Sequence, residues 1–147
     1  MARLVDTNLL LRSVQPSHPL HAVAARALER LIAQEEALYI TVQNVAEFWN
    51  AATRPLAQNG LGLSIDRAKE EIDRLEEFFE ILSQSSRSYE EWKALLSSKR
   101  VSGTQVHDAR LVAVMLANHI TKIVTFNVQD FTRFDEIEAI HPNDILA

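Results

Sequence analysis

Short apolar runs alternate with stretches of helical periodicity along this chain, and that alternation most restricts its fold. Five runs have the length of buried strands, at residues 4–5, 38–40, 78–82, 120–126 and 138–140. Between them, apolar residues recur three and four positions apart, as on one face of a helix. Strands that alternate with helices predict a mainly parallel sheet with helices on both faces. We therefore expect an α/β three-layer sandwich with a short five-stranded sheet.

Helix boundaries are predicted from capping residues and from proline. Thr41 is a suitable N-cap for a helix that ends before Pro55, and Ser64 caps the next predicted helix. Ser102 and Gln105 have the spacing of a capping box, which predicts another helix start there, and Thr104 is an alternative N-cap. The predicted helices cover residues 19–34, 41–54, 65–77, 88–100 and the stretch after residue 105.

Composition excludes several classes of protein. At 147 residues the chain has the length of one domain, and we expect residues 1–147 to form a single domain. The absence of cysteine excludes disulfides and thiolate zinc sites and agrees with a cytoplasmic location. No apolar run reaches the length of a membrane span. The net charge of -5 argues against binding nucleic acid through a broadly basic surface, but is compatible with an acidic pocket for metal ions.

Asp6 directly follows the first predicted strand, and Thr125 lies at the end of the fourth. In an open α/β sheet, ligands bind beyond the carboxyl ends of the strands. An Asp after a strand is also a common helix N-cap, so residue type leaves both roles open.

Four acidic residues lie where predicted elements begin or end, or on a helix between them: Asp6, Glu47, Asp108 and Asp130. Clustered carboxylates are unfavourable unless cations compensate them. Oxygen ligands suit Mg²⁺ or Mn²⁺ rather than zinc. Two such ions, roughly 4 Å apart, promote phosphodiester cleavage. Spacing along the sequence leaves open whether these carboxylates meet in space.

Four sequence motifs resemble the successive motifs of the PIN domain, and most closely those of the VapC-type toxin nucleases. They are Asp6-Thr7-Asn8, Asn44-Val45-Ala46-Glu47, His107-Asp108-Ala109-Arg110-Leu111-Val112-Ala113 and Thr125-Phe126-Asn127-Val128-Gln129-Asp130-Phe131. The resemblance extends over nearly the whole chain. It implies a parallel α/β sandwich and a Mg²⁺- or Mn²⁺-dependent endoribonuclease.

The resemblance also assigns site residues by position. It implies that three acids bind metal: Asp6, Glu47 and Asp108. Thr125 is the implied polar residue that braces the site. Asn127 stands where many members have a fourth acid, and it completes the expected catalytic set. Asp130 either replaces that acid as a metal ligand or has the family's more variable outer role.

The resemblance further implies an RNA substrate, a small antitoxin partner and a homodimer. Apolar side chains such as Trp92 and Leu95 in the later helices are a weaker physical indication of self-association. Arg12 and Arg54 are candidates for contacts with phosphate. Arg54 belongs to a polar stripe along the second predicted helix that also includes Gln43, Glu47 and Asn50.

Two other functions remain as alternatives. A non-catalytic module with the same fold would bind RNA or a protein, and Asn127 leaves that alternative open. A phosphatase with an Asp nucleophile would need a second Asp two residues after Asp6. Asn8 occupies that position, so the phosphatase is less favoured.

Overall fold

All 147 residues are described by a computed structural model, which contains five strands and seven helices. In chain order these are β1 (Ala2–Val5), α1 (Thr7–Ser13), α2 (His21–Ala33), β2 (Ala37–Thr41), α3 (Val42–Thr53), α4 (Ile65–Phe78), β3 (Glu80–Leu82), α5 (Ser86–Ser98), α6 (Gln105–Ala117), β4 (Lys122–Val124), β5 (Glu138–Ile140) and α7 (Pro142–Leu146). Short 3-10 turns cover Leu56–Gln58 and Val128–Phe131. None of the seven helices has the length and apolar character needed to cross a bilayer.

The five strands form one parallel sheet in the order β3-β2-β1-β4-β5. At the centre, Leu4 of β1 lies opposite Tyr39 of β2 and Ile123 of β4. The parallel five-stranded sheet predicted from the sequence is confirmed.

Each face of the sheet carries its own hydrophobic core, because successive residues of a strand point to opposite faces. Leu4 and Ile123 belong to a core shared with α5 and α6. The next residues, Val5 and Val124, belong to a core on the other face, shared with α1 to α4. The expected three-layer arrangement is therefore present.

The strand order creates a crevice at the carboxyl end of β1. The chain continues to β2 on one side of β1, and β4 returns on the other side. Ligands in open α/β sheets bind where strand order reverses in this way. Asp6 and Thr125, which follow β1 and β4, meet at this point.

Several local predictions differ from the structure. The capping box at Ser102 and Gln105 is wrong, and the alternative residue, Thr104, is the N-cap of α6. No side chain caps that helix, and Gly103 has a φ of 61°. Phe78 ends α4 instead of starting a strand, so β3 begins only at Glu80. Helix α5 begins earlier than predicted, because Ser85 is its N-cap and Ser88 forms the return bond of a capping box.

Helices α1 and α7 are both shorter than two full turns, so apolar periodicity gives little signal for them. Asp6 caps α1, and Pro142 occupies the first turn of α7, where its missing N–H is tolerated.

Candidate active site

Asp6 is both a helix cap and a residue of the central crevice. Its Oδ1 accepts a hydrogen bond from the Thr7 backbone N–H at 2.8 Å, which caps α1. Its Oδ2 accepts a hydrogen bond from the Thr125 hydroxyl, also at 2.8 Å. The two roles that the residue type left open are therefore combined in one carboxylate.

The hydroxyl of Thr125 joins the first and fourth strand ends. It is fully buried, donates to Asp6, and accepts from the Asn127 backbone N–H at 3.0 Å and the Asn8 side-chain amide at 3.3 Å. One donor and two acceptor positions are the full capacity of a hydroxyl. Thr125 therefore fixes the orientation of Asp6.

Glu47, on α3, is oriented by a buried polar chain. Its Oε1 accepts from the Thr7 hydroxyl at 2.7 Å, and that hydroxyl accepts from the Asn44 side-chain amide at 2.9 Å. The oxygen of the Asn44 amide accepts from the Thr41 backbone N–H at 2.8 Å and from the Thr41 hydroxyl at 2.9 Å. Because the Asn44 amide nitrogen can only donate to it, the Thr7 hydroxyl keeps its proton for Glu47.

These residues surround a cleft of about 340 Å³. All four acidic residues singled out from the sequence line it, and Leu11 is the one hydrophobic residue in the lining. The cleft is lined by Asp6, Thr7, Asn8, Leu11, Glu47, Asn50, Arg54, Asp108, Asn127 and Asp130. Thr125 lies behind this surface and contacts the cleft through Asp6 and Asn127.

Burial and mutual repulsion raise the pKa of two of the carboxyls. Burial raises the pKa of Asp6 to about 6; the hydrogen bonds that it accepts oppose this rise, and the charges of Glu47 and Asp130 add to it. Burial also raises the pKa of Asp108 to about 6, with further contributions from the charges of Asp6, Asp130 and Glu47. The charges of Glu47 and Asp130 therefore contribute to the raised pKa of both Asp6 and Asp108.

The oxygen donors of this cleft fit a divalent cation, although they are not arranged as a preformed metal site. No three acidic or histidine side chains converge closely enough to hold an ion as they stand. The donors are all hard oxygens, which Mg²⁺ and Mn²⁺ prefer, and their mutual repulsion would be relieved by a cation. Binding would draw carboxylates such as Asp6 and Asp108 towards one another.

Asn127 and Asp130 differ from the other site residues in their exposure. Both side chains are exposed, whereas Asp6, Glu47 and Asp108 are half-buried. The structure brings both to the cleft, so it leaves open which of them stands in the fourth position. Asp130 also lines a second, adjoining cleft.

Two residues of the site were not singled out from the sequence for their actual contacts. The sequence motif that includes Asn44 does not indicate its contacts, but the residue is fully buried and links Thr41 to Thr7. No sequence motif includes Arg133, whose charge lowers the pKa of Asp108 against the larger opposing effects. For Asn44, an available signal was its position three residues after the N-cap Thr41, which is the spacing of a capping box.

The metal-free protein should become more stable at neutral pH when Asp108 is replaced by Asn. Its pKa of about 6 exceeds its ordinary value of 3.8, so ionisation opposes folding as pH rises from about 4 to above 6. This difference between the two pKa values corresponds to at most about 3 kcal/mol in the free energy of unfolding. Solvent screening of a half-buried group reduces the effect to about 1 kcal/mol.

Thermal melts in chelator should therefore show Asp108→Asn melting about 2–4 °C above wild type near pH 7.5. Near pH 4 the two proteins should have the same melting temperature, because the Asp108 carboxyl is protonated in the folded wild type. A variant that melts below wild type at both pH values would show that the Asp108 carboxylate stabilises the fold.

Comparison with known proteins identifies the family. The PIN domain matches residues 3–137. Among solved structures, VapBC2 from Rickettsia felis bound to a promoter DNA fragment has a TM-score of 0.71 at 17% identity, with 96% of this chain and 98% of that chain covered. FitAcB from Neisseria gonorrhoeae has a TM-score of 0.68 at 17% identity, with 95% and 97% covered.

A third similar structure is Mycobacterium tuberculosis VapC20, which is described as a toxin that cleaves the sarcin-ricin loop. It has a TM-score of 0.60 at 18% identity, with 82% of this chain and 86% of that chain covered. No curated protein matches the sequence. The structural likenesses, at such low identity, show a shared fold. Since the family match spans most of the chain, the chain belongs to the PIN domain family.

Proposed function

We propose that this chain is a Mg²⁺- or Mn²⁺-dependent endoribonuclease and the toxin of a VapBC-type toxin–antitoxin pair. The observation that carries the proposal is the meeting of Asp6, Glu47, Asp108 and Asp130 around one open cleft at the strand-order reversal. The PIN family match supports a nuclease, and the cleavage of the sarcin-ricin loop by VapC20 supports RNA as the substrate.

Asp6, Glu47 and Asp108 would hold the divalent ion, with Asp130 or Asn127 completing the site. When bound, the ion supplies Lewis-acid stabilisation of the negative charge that develops on a phosphodiester during cleavage. Thr125 keeps the Asp6 carboxylate in one orientation, and Thr7 does the same for Glu47. This pre-orientation lowers the cost of assembling the site.

The proposed partners are a small antitoxin and a second copy of the chain, and the proposed location is the cytoplasm. One similar structure, from Klebsiella pneumoniae, is described as a toxin–antitoxin complex, and VapBC2 and FitAB were solved bound to DNA fragments. A search for a short gene beside this one, followed by co-expression of its product with this chain and purification of any complex, tests for the antitoxin. Light scattering across the micromolar range tests for the homodimer.

Cleavage of a structured RNA in Mn²⁺, with and without chelator, tests the nuclease. Internal cuts that appear with Mn²⁺ and disappear with chelator support an endoribonuclease. Intact RNA that nevertheless binds the protein would instead support the non-catalytic module, which is the second candidate because Asn127 brings no charge to the site.

The phosphatase alternative receives less support from the contacts of Asn8. Its amide nitrogen donates to Thr125 at 3.3 Å and its oxygen accepts from the Phe126 backbone N–H at 3.3 Å. An amide in these contacts has no proton to give to a leaving group. Asn8 instead joins α1 to the end of β4.

The Asn127→Asp variant should bind Mn²⁺ more tightly than wild type in the absence of RNA. An amide oxygen can ligate a cation, but it brings no negative charge to offset the desolvation of the ion. A carboxylate ligates the cation and also brings that charge. A gain of roughly tenfold in affinity is expected, and calorimetric titration of the two proteins with Mn²⁺ measures it. Unchanged affinity would remove Asn127 from the metal site and favour Asp130 as the fourth position.

A further inference from the structure

Arg54 lies at the end of the helix that carries Glu47 and borders the same cleft. Arg54 is the C-cap of α3, and it follows Glu47 and Asn50 along one polar stripe. All three residues line the acidic cleft. Arg54 lies seven positions after Glu47, which is about 10 Å along the helix axis. Arg54 therefore brings positive charge to one end of a cleft whose centre is negative.

The loop after α3 holds Arg54 in place. The guanidinium Nη2 donates to the Asn59 carbonyl at 3.2 Å, and the Gly62 N–H donates to the Arg54 carbonyl at 2.9 Å. Gly60 packs so closely that a Cβ there would collide with the Arg54 carbonyl oxygen. The Nε of Arg54 is buried without a hydrogen-bond partner, and no carboxylate forms a salt bridge with the side chain.

A second cleft of about 230 Å³ adjoins the first. The two clefts share Asp108 and Asp130, and the second has no hydrophobic residue in its lining. Arg133 lies in this second cleft and forms no salt bridge. The acidic centre is therefore flanked by one arginine in each cleft.

We propose that the two clefts form a continuous track for the RNA backbone, in which Arg54 and Arg133 bind phosphates on either side of the acidic centre. This proposal rests on the proposed function, since it takes RNA as the ligand. An arginine binds phosphate through a planar fork of N–H donors, and one already held in place loses less entropy on binding. Arg12, the other arginine considered from the sequence, donates instead to Gln15 and lines neither cleft.

Binding of a short fluorescently labelled single-stranded RNA tests the track. The measurement uses the Asp108→Asn variant in Mn²⁺, so that the RNA is not consumed, and adds Arg54→Gln or Arg133→Gln to it. Each added change should raise Kd by roughly threefold to tenfold and reduce the slope of log Kd against log salt by about 0.7. Arg87→Gln, at an exposed position on α5 that lines neither cleft, is the matched control and should change neither value.

A second pair of variants separates loss of contact from loss of structure. Arg54→Lys keeps the charge without the fork, so its Kd should lie between those of Arg54→Gln and the parent. Gly60→Ala, which displaces the loop, should weaken RNA binding without removing any charge. Unchanged Kd and salt slope for both arginine variants would overturn the track, as would an equal loss in Arg87→Gln.

The outcome is independent of the nuclease test. If wild type cleaves RNA but neither arginine affects binding, the track is wrong and the proposed function stands. If wild type never cleaves RNA but binding depends on both arginines, the track stands and the proposed enzyme is wrong.

Discussion

Replacement of Asp108 by Asn should lower the rate of RNA cleavage in Mn²⁺ by about a thousandfold, or about 4 kcal/mol of transition-state stabilisation. Asp108 lines both clefts, and its raised pKa reflects burial beside the other acids. The substitution keeps the size of the side chain but removes a negative oxygen donor. If Asp108 binds the metal ion as proposed, the loss of its charge should reduce cleavage much more than it alters the fold.

Initial rates on one RNA substrate measure this effect, with Asp66→Asn as the control. Asp66 is an exposed carboxylate in the first turn of α4 and lines neither cleft. The control should cleave RNA within about twofold of wild type, because exposed substitutions away from a site have small effects. Full activity in Asp108→Asn would place the catalytic centre elsewhere.

The second large effect is expected for Asn44→Ala, which should lower the free energy of unfolding by about 3 kcal/mol. Asn44 is fully buried, and its side chain closes the capping box of α3 with Thr41. Removing it leaves the Thr41 backbone N–H without its partner and takes the amide donor away from Thr7. Buried donors left without partners are costly, so the helix start and the Glu47 contact should both weaken.

Chemical denaturation with a common m-value measures the change, and a fall in Tm of about 6–12 °C should accompany it. Asn50→Ala is the matched control, because Asn50 lies on the same helix but its side chain is exposed. The control should stay within about 0.5 kcal/mol of wild type. Equal stability of the two variants would show that the hydrogen bonds joining Thr41, Asn44 and Thr7 contribute little to the free energy of unfolding.

Local boundaries were predicted less well than the order of elements. The apolar stripes of α2, α3 and α4 extend over three turns or more, so a periodic pattern accumulates enough residues to identify a helix. Helices α1 and α7 are too short for that. At α6, the capping box of Ser102 and Gln105 does not form, because Gly103 adopts a left-handed conformation between them, and Thr104 is the N-cap instead. Cap residues identify a helix start only when the backbone between them is helical.

The sequence by itself determined the alternation of strands and helices, and with it the parallel sheet and the placing of Asp6 and Thr125 after strands. These properties depend on local periodicity, which any stretch of chain carries within itself. The tertiary structure alone decided which strand ends became neighbours. Asp6 and Thr125 are 119 positions apart, and their hydrogen bond exists because β4 lies beside β1. The same packing brought Arg54 and Arg133 to two clefts that share Asp108 and Asp130, since the clefts are shaped by elements distant in sequence.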